Sequence, residues 1–178
     1  MKRYLCALFC MAISLTILFG CGSKNNSHSA KGTDDFLHEA NVDPFPETTD
    51  WEPTIYKTVN SLDGVTMFVK DGTISSTGLT VTFENHSNKQ CVYGQYFSLE
   101  KKINGVWYQV PVALDGDYGF NAIGYDLAPS NMAEWTVDWN WLYGSLDQGE
   151  YRIVKDLLDF RNTGDYDEHY LTAEFTIE

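Results

Sequence analysis

"WTVDWNWLYGSLDQGEYRIVK", residues 135–155, gathers three tryptophans and two tyrosines into twenty-one positions. Its spacing says how they are used. Trp135, Val137 and Trp139 share one side of a period-two pattern and Thr136 and Asp138 the other, as in a half-buried strand. The run Leu146-x-x-Gly149-x-Tyr151 then has the shape of a tyrosine corner, in which the phenol hydroxyl returns to backbone a few residues upstream where the next strand begins. That next strand is the β-branched "YRIVK". Trp135 and Trp139 are therefore expected to face the core. Trp141 and Tyr143 follow the strand and are left as candidates for a ligand surface, because exposed indole and phenol rings offer a broad apolar face with a polar edge.

The same alternation extends in both directions. "GLTVTFEN" puts Leu79, Val81 and Phe83 on one face, and "YLTAEFTIE" turns Leu171, Ala173, Phe175 and Ile177 inward and Thr172, Glu174 and Thr176 outward. "YFSLEKKINGVWYQVP" holds two strand-like runs joined at Asn104-Gly105, a pair that accepts the positive φ of a type I′ hairpin turn. With "VTMFVKD" from Val65, about seven strands emerge, separated by turn signals, and no helical period of useful length. The fold class is all-β, an antiparallel β-sandwich of about seven strands.

Upstream, the composition changes. "MKRYLCALFCMAISLTILFGC" has Lys2 and Arg3, an apolar run from Leu5 to Phe19 and a small residue before Cys21, the layout of a secretory signal. The run is too short for a comfortable membrane span, which needs about 20 apolar residues. Leu18-Phe19-Gly20-Cys21 resembles the lipobox of bacterial lipoproteins, with Phe19 departing from the smaller residue usual there. The expected organisation is a signal peptide over 1–20, lipidation of Cys21, a flexible polar tether over 21–50 and a sandwich domain over 51–178. A short helical turn around "DDFLHEA" is a weak signal within that tether. Export leaves Cys91 as the one thiol besides the acylated cysteine, so no internal disulfide is expected. Loss of Lys2 and Arg3 takes the formal charge from −13 to −15, which disfavours nucleic acid and anionic lipid as partners.

Sites of chemistry are sparse. His86 and Cys91 lie close in sequence, but no nucleophile-elbow context surrounds them, and a buried thiol is the better reading of Cys91. Too few His and Cys fall in the domain for zinc. Asp115, Asp117 and Asn121 in "DGDYGFN" are candidate calcium ligands, although no bidentate Glu closes that stretch. Asp165, Asp167 and Glu168 form a second acidic group without regular spacing. No catalytic residue, confident metal site or cofactor is assigned.

Three stretches carry a resemblance to a known family: "GLTVTFENHSNKQCVYGQYFSLEKKINGVWYQVP", "EWTVDWNWLYGSLDQGEYRIVK" and "YLTAEFTIE". Together they resemble a bacterial immunoglobulin-like domain of Gram-positive surface lipoproteins, over roughly Val65 to Glu178. Gln148 stands where that family often has proline before the corner glycine. The resemblance implies an immunoglobulin-like sandwich on the extracytoplasmic face of the cell membrane and brings no catalytic residues. The function expected is a lipid-anchored binding, adhesion or envelope-accessory domain. Its partners are the membrane, through the lipid, and an unidentified protein or glycan. The alternative expectation is a cell-wall or glycan-binding module using exposed aromatics.

Overall fold

A computed structural model describes residues 50–178, which lie within one compact unit. The expected signal, the turn at "DDFLHEA", the tether up to Thr49 and Cys21 are outside the described residues. Among the described residues nine strands are formed: β1 (Val65–Val69), β2 (Gly78–Asn85), β3 (Cys91–Tyr93), β4 (Ser98–Ile103), β5 (Val106–Gln109), β6 (Tyr125–Leu127), β7 (Met132–Asp138), β8 (Gly149–Asn162) and β9 (Asp165–Ile177). A single helical turn, α1 (Asn140–Tyr143), follows β7. All strand pairs are antiparallel. One sheet runs β1-β2-β7; the other runs β5-β4-β8-β3-β6, with β9 along the opposite edge of β8. This is the expected all-β immunoglobulin-like sandwich.

Alternation in sequence becomes alternation in burial. Leu79, Val81, Phe83 and Val137 of the smaller sheet face Tyr151, Ile153, Leu157, Leu171, Ala173 and Phe175 of the larger, all buried in one core. Burying each such aliphatic or aromatic side chain is worth roughly 1.5–3 kcal/mol. Trp139 is fully buried just past β7 and stacks on Phe175 at 5.5 Å, which in turn stacks on Tyr151 at 5.8 Å. Its indole N–H donates to the Ser76 carbonyl at 2.9 Å, so the one polar atom of the largest core side chain is satisfied.

Both turn signals hold. Asn104 and Gly105 adopt φ of 52° and 81°, joining β4 to β5 in a two-residue hairpin. The Tyr151 hydroxyl donates to the Asp147 carbonyl at 3.0 Å and closes the tyrosine corner. Gly149 has φ 153°, a backbone conformation that residues with a side chain rarely adopt, so the corner needs glycine for its backbone; the Lys101 side chain that crosses it is flexible and could move aside for a Cβ.

The differences from seven strands have local causes. β3 and β6 are three residues each, too short to show a period. β8 and β9 run much further than expected and meet at a turn containing Gly164, φ 80°. Asp165, Asp167 and Glu168 accordingly sit on β9 rather than in a loop, where Asp165 and Asp167 bond Arg161 at 2.7 and 3.0 Å.

A second difference is larger. Arg152 and Val154 point away from the core yet are buried, as are Glu100 and Thr172, the last of which was expected to face outward. Residues 52–60 cover them as a strap across the outer face of the larger sheet, while Trp51 and Leu62 at its two ends pack against the core. At one side, Thr54 N–H donates to Trp107 O and Gln109 N–H to Glu52 O. At the other, Asn60 N–H donates to Tyr170 O, its side-chain oxygen accepts from Thr172 N–H at 2.8 Å, and its amide donates to Thr172 Oγ1 at 3.0 Å. Tyr56 lies between them, packed on Tyr170 and hydrogen-bonded to Ser98. Beneath the strap, Arg152 binds Glu100 Oε2 at 2.6 Å, reaches Thr54 Oγ1 and stacks 4.6 Å from the Trp107 ring centroid. The pair is not fully satisfied: Glu100 Oε1 is buried without a hydrogen-bond partner, a cost that the short bond to Arg152 on the other oxygen has to offset.

Tyr151→Phe should retain the fold and lower stability by about 1 kcal/mol, the usual loss for one buried hydroxyl bond; a urea midpoint unchanged by that substitution would show that the corner bond contributes nothing. Burial of Tyr56 between the strap and the sheet also pushes its phenol well above the ordinary value of 10.0. The folded chain therefore holds a proton that the unfolded chain releases above about pH 10, so this contribution is complete below that pH and is lost as pH climbs further. Urea titrations at about pH 8 and about pH 11 should show a smaller alkaline loss for Tyr56→Phe than for the parent chain; equal losses would contradict the burial of that hydroxyl.

Candidate functional site

β3 and β4 lie end to end along one edge of β8, and residues 94–97 between them leave the sheet. Residues 155–157 of β8 consequently have no ladder partner on that edge. Lys155 occupies the opening. Its side chain is fully buried on the core face, and its ammonium donates to the Asp156 carbonyl at 3.1 Å and pairs with the Asp156 carboxylate. The same nitrogen stands 5.5 Å from the Trp135 ring centroid. Burial lowers the Lys155 pKa, and the Asp156 carboxylate opposes that shift.

The departing segment carries Tyr96 outward and Phe97 inward. Phe97 is buried and meets Trp135 edge-on at 5.9 Å and Phe120 at 5.6 Å. Phe120 belongs to the long connection between β5 and β6 and is the hub of the group. Tyr96, Tyr118 and Trp141 all lie against it, at 5.4, 6.3 and 5.7 Å, and all at steep angles. Edge-to-face contacts of this type hold rings in fixed relative orientation. Tyr96, Tyr118 and Trp141 remain 42%, 48% and 44% exposed, so the group presents a firm aromatic face to solvent.

Short-range bonds set that face. Asp138 Oδ1 accepts the Asn140 N–H at 2.9 Å and starts α1, and Leu142 is buried and anchors the turn. The Leu142 carbonyl receives the N–H groups of Ala113 and Leu114 at 2.9 and 3.3 Å, which ties the β5–β6 connection to α1. Trp141 therefore projects beside Tyr118, 6.4 Å away. Tyr143 goes elsewhere. It is partly buried near Phe97, and burial pushes its hydroxyl pKa well up, opposed by a bond with the Leu99 backbone. Of the two aromatic candidates, Trp141 lies on the exposed face and Tyr143 lies behind it.

Beside Trp141 is a shallow recess of about 80 Å³, bordered by Gln95, Thr136 and Asp138 as well as Phe120 and Trp135. Asp115, Asp117 and Asn121 are exposed in the connection that carries Tyr118. Among the described residues, no three His, Cys, Asp or Glu side chains gather closely enough to hold a metal ion. His86 is exposed and pairs with Glu84 at 3.1 Å, whereas Cys91 is buried with the Asn85 amide 3.8 Å from its sulfur. Burial raises the Cys91 pKa, the opposite of what an activated thiolate requires.

Tyr96, Tyr118 and Phe120 were not singled out by pattern. One signal was present: Tyr118-Gly119-Phe120 places two large rings in a stretch with no strand period, where core burial does not account for them.

Comparison with known proteins agrees with this architecture. The model of the bacterial Ig-like domain family matches residues 61–176, which take in both sheets except for the last residue of β9. No curated protein compared with the chain matches it significantly. Among the described residues no helix is long and apolar enough to cross a membrane. Domains of this family are typically extracellular and in general non-catalytic. With the match spanning well over half of its length, the chain belongs to the bacterial Ig-like domain family.

Proposed function

We propose that this protein is a lipid-anchored, extracytoplasmic binding module that performs no catalysis. The aromatic face carries the reading. Three half-exposed rings fixed against Phe120 are costly to leave in water and contribute nothing further to the core, which is already filled by Trp139, Phe83, Tyr151 and their neighbours. Binding residues on a sandwich belong on its connections, and this face is built from residues 94–97, the β5–β6 connection and the β7–α1 junction.

Anchoring is supported by sequence. The signal-like run ends at Leu18-Phe19-Gly20-Cys21, and a diacylated cysteine would hold the chain at the outer face of the membrane through two or more acyl chains. The polar stretch from Gly22 to Asp50 would then separate the sandwich from the lipid surface. The acidic balance fits a soluble domain held near, and not pressed onto, an anionic bilayer.

Metabolic labelling with a radioactive fatty acid in a bacterial host tests the anchor. Label should enter the parent chain and be absent from Cys21→Ala, whose precursor should accumulate at higher mass. An unlabelled parent chain, or equal label in the variant, would remove the lipid from the account.

A further inference from the structure

The geometry points to a neutral saccharide chain of pyranose rings as the occupant of the face formed by Tyr96, Tyr118 and Trp141. This deepens the binding reading above and rests on it. Sugars of this kind offer flat patches of C–H groups that lie on aromatic rings, and a rim of hydroxyls that seek acceptors and donors at the edge.

Four observations select that class. The rings touch one another: Tyr118, Phe120 and Trp141 stand 5.7–6.4 Å apart by centroid, so no space is enclosed between them for a quaternary ammonium, whose recognition needs ring walls on several sides of the cation. The charge is wrong for a polyanion. The recess beside Trp141 is bordered by Asp138 and by no lysine or arginine, and Asp115 and Asp117 lie on the connection that carries Tyr118. The face is small. Three rings each a little under half exposed present on the order of 300 Å², below the roughly 800 Å² per partner that a stable protein interface needs. Finally, the adjoining recess of about 80 Å³ is far below the volume that encloses a whole ligand, but Gln95 and Asp138 at its border can accept hydrogen bonds from a ring substituent. The ligand lies along the surface and inserts only an edge.

Part of the face is already packed before binding. Phe120 is held by Phe97, and the connection that carries it is tied to α1 by the two bonds to the Leu142 carbonyl. Ordering cost on association is correspondingly reduced.

Titration calorimetry on the full-length chain in detergent, with cellohexaose and chitohexaose as neutral probes and polygalacturonate as the anionic one, tests the inference. At least one neutral oligomer should bind and polygalacturonate should not. Trp141→Ala and Tyr118→Ala should each weaken binding by about tenfold or more, as for loss of a principal contact residue. Phe68→Ala removes an exposed ring on β1, outside this face, and should change nothing. If Trp141→Ala does not fold, Tyr118→Ala in its exposed connection decides the matter. No binding of either neutral oligomer, equal binding by Tyr118→Ala, or preference for polygalacturonate would overturn the saccharide assignment and leave the lipid-anchored reading standing. Recovery of shortened oligomers would instead overturn the non-catalytic reading.

Discussion

A strand that buries five consecutive residues, Tyr151 to Lys155, is stable only if both of its faces are covered. β8 meets that constraint in two ways. Its inner face packs on the smaller sheet, through Ile153 and Leu157 against Val81 and Phe83 in one core. Its outer face is closed by the strap, whose bonds run from Trp107 at one side to Thr172 at the other. Two charged side chains are thereby taken out of water on opposite faces. Arg152 finds Glu100 and the Trp107 ring, and Lys155 finds Asp156 and the Trp135 ring. Removing either partner would leave a buried charge uncompensated, a far greater loss than the modest net value of the intact pair.

The same strand explains why the aromatic face is where it is. β9 occupies one entire edge of β8, so β3 and β4 must share the other. Their interruption at residues 94–97 leaves residues 155–157 of β8 without a ladder partner on that edge, and Tyr96 and Phe97 belong to the segment that departs there. Phe97 then supports Phe120, and Phe120 supports Tyr118 and Trp141. The exposed rings are thus an outgrowth of core packing, connected to it ring by ring, and their orientation is inherited from the sandwich.

Much of this fold was legible because half-buried strands write their geometry as period two. "GLTVTFEN" and "YLTAEFTIE" place their apolar residues correctly on the core face, and Asn104-Gly105 and the tyrosine corner mark their turns through residue-specific backbone and hydrogen-bond chemistry. Three-residue β3 and β6 are too short to display any period. Arg152 and Lys155 in "YRIVK" look like solvent residues, since nothing local reveals a partner fifty-two residues away or a gap in a neighbouring strand. The strap is invisible for a related reason: its order comes from backbone and amide bonds to distant strands, while its own sequence offers little apolar pattern. Thr172 looked exposed for want of Asn60. In the site, Trp141 was identifiable as a large ring beyond the end of a strand, but its association with Tyr96 and Tyr118 exists only once three separate segments are brought together.

Native-state hydrogen exchange followed residue by residue tests the central claim, that β8 is covered on both faces. The account predicts that amides of Tyr151 to Val154 are among the slowest to exchange, and that the Thr54 and Asn60 amides in the strap are protected despite lying outside any strand. Exchange of Thr54 and Asn60 at the rate of an unfolded chain, with β8 no better protected than the edge strand β1, would contradict it.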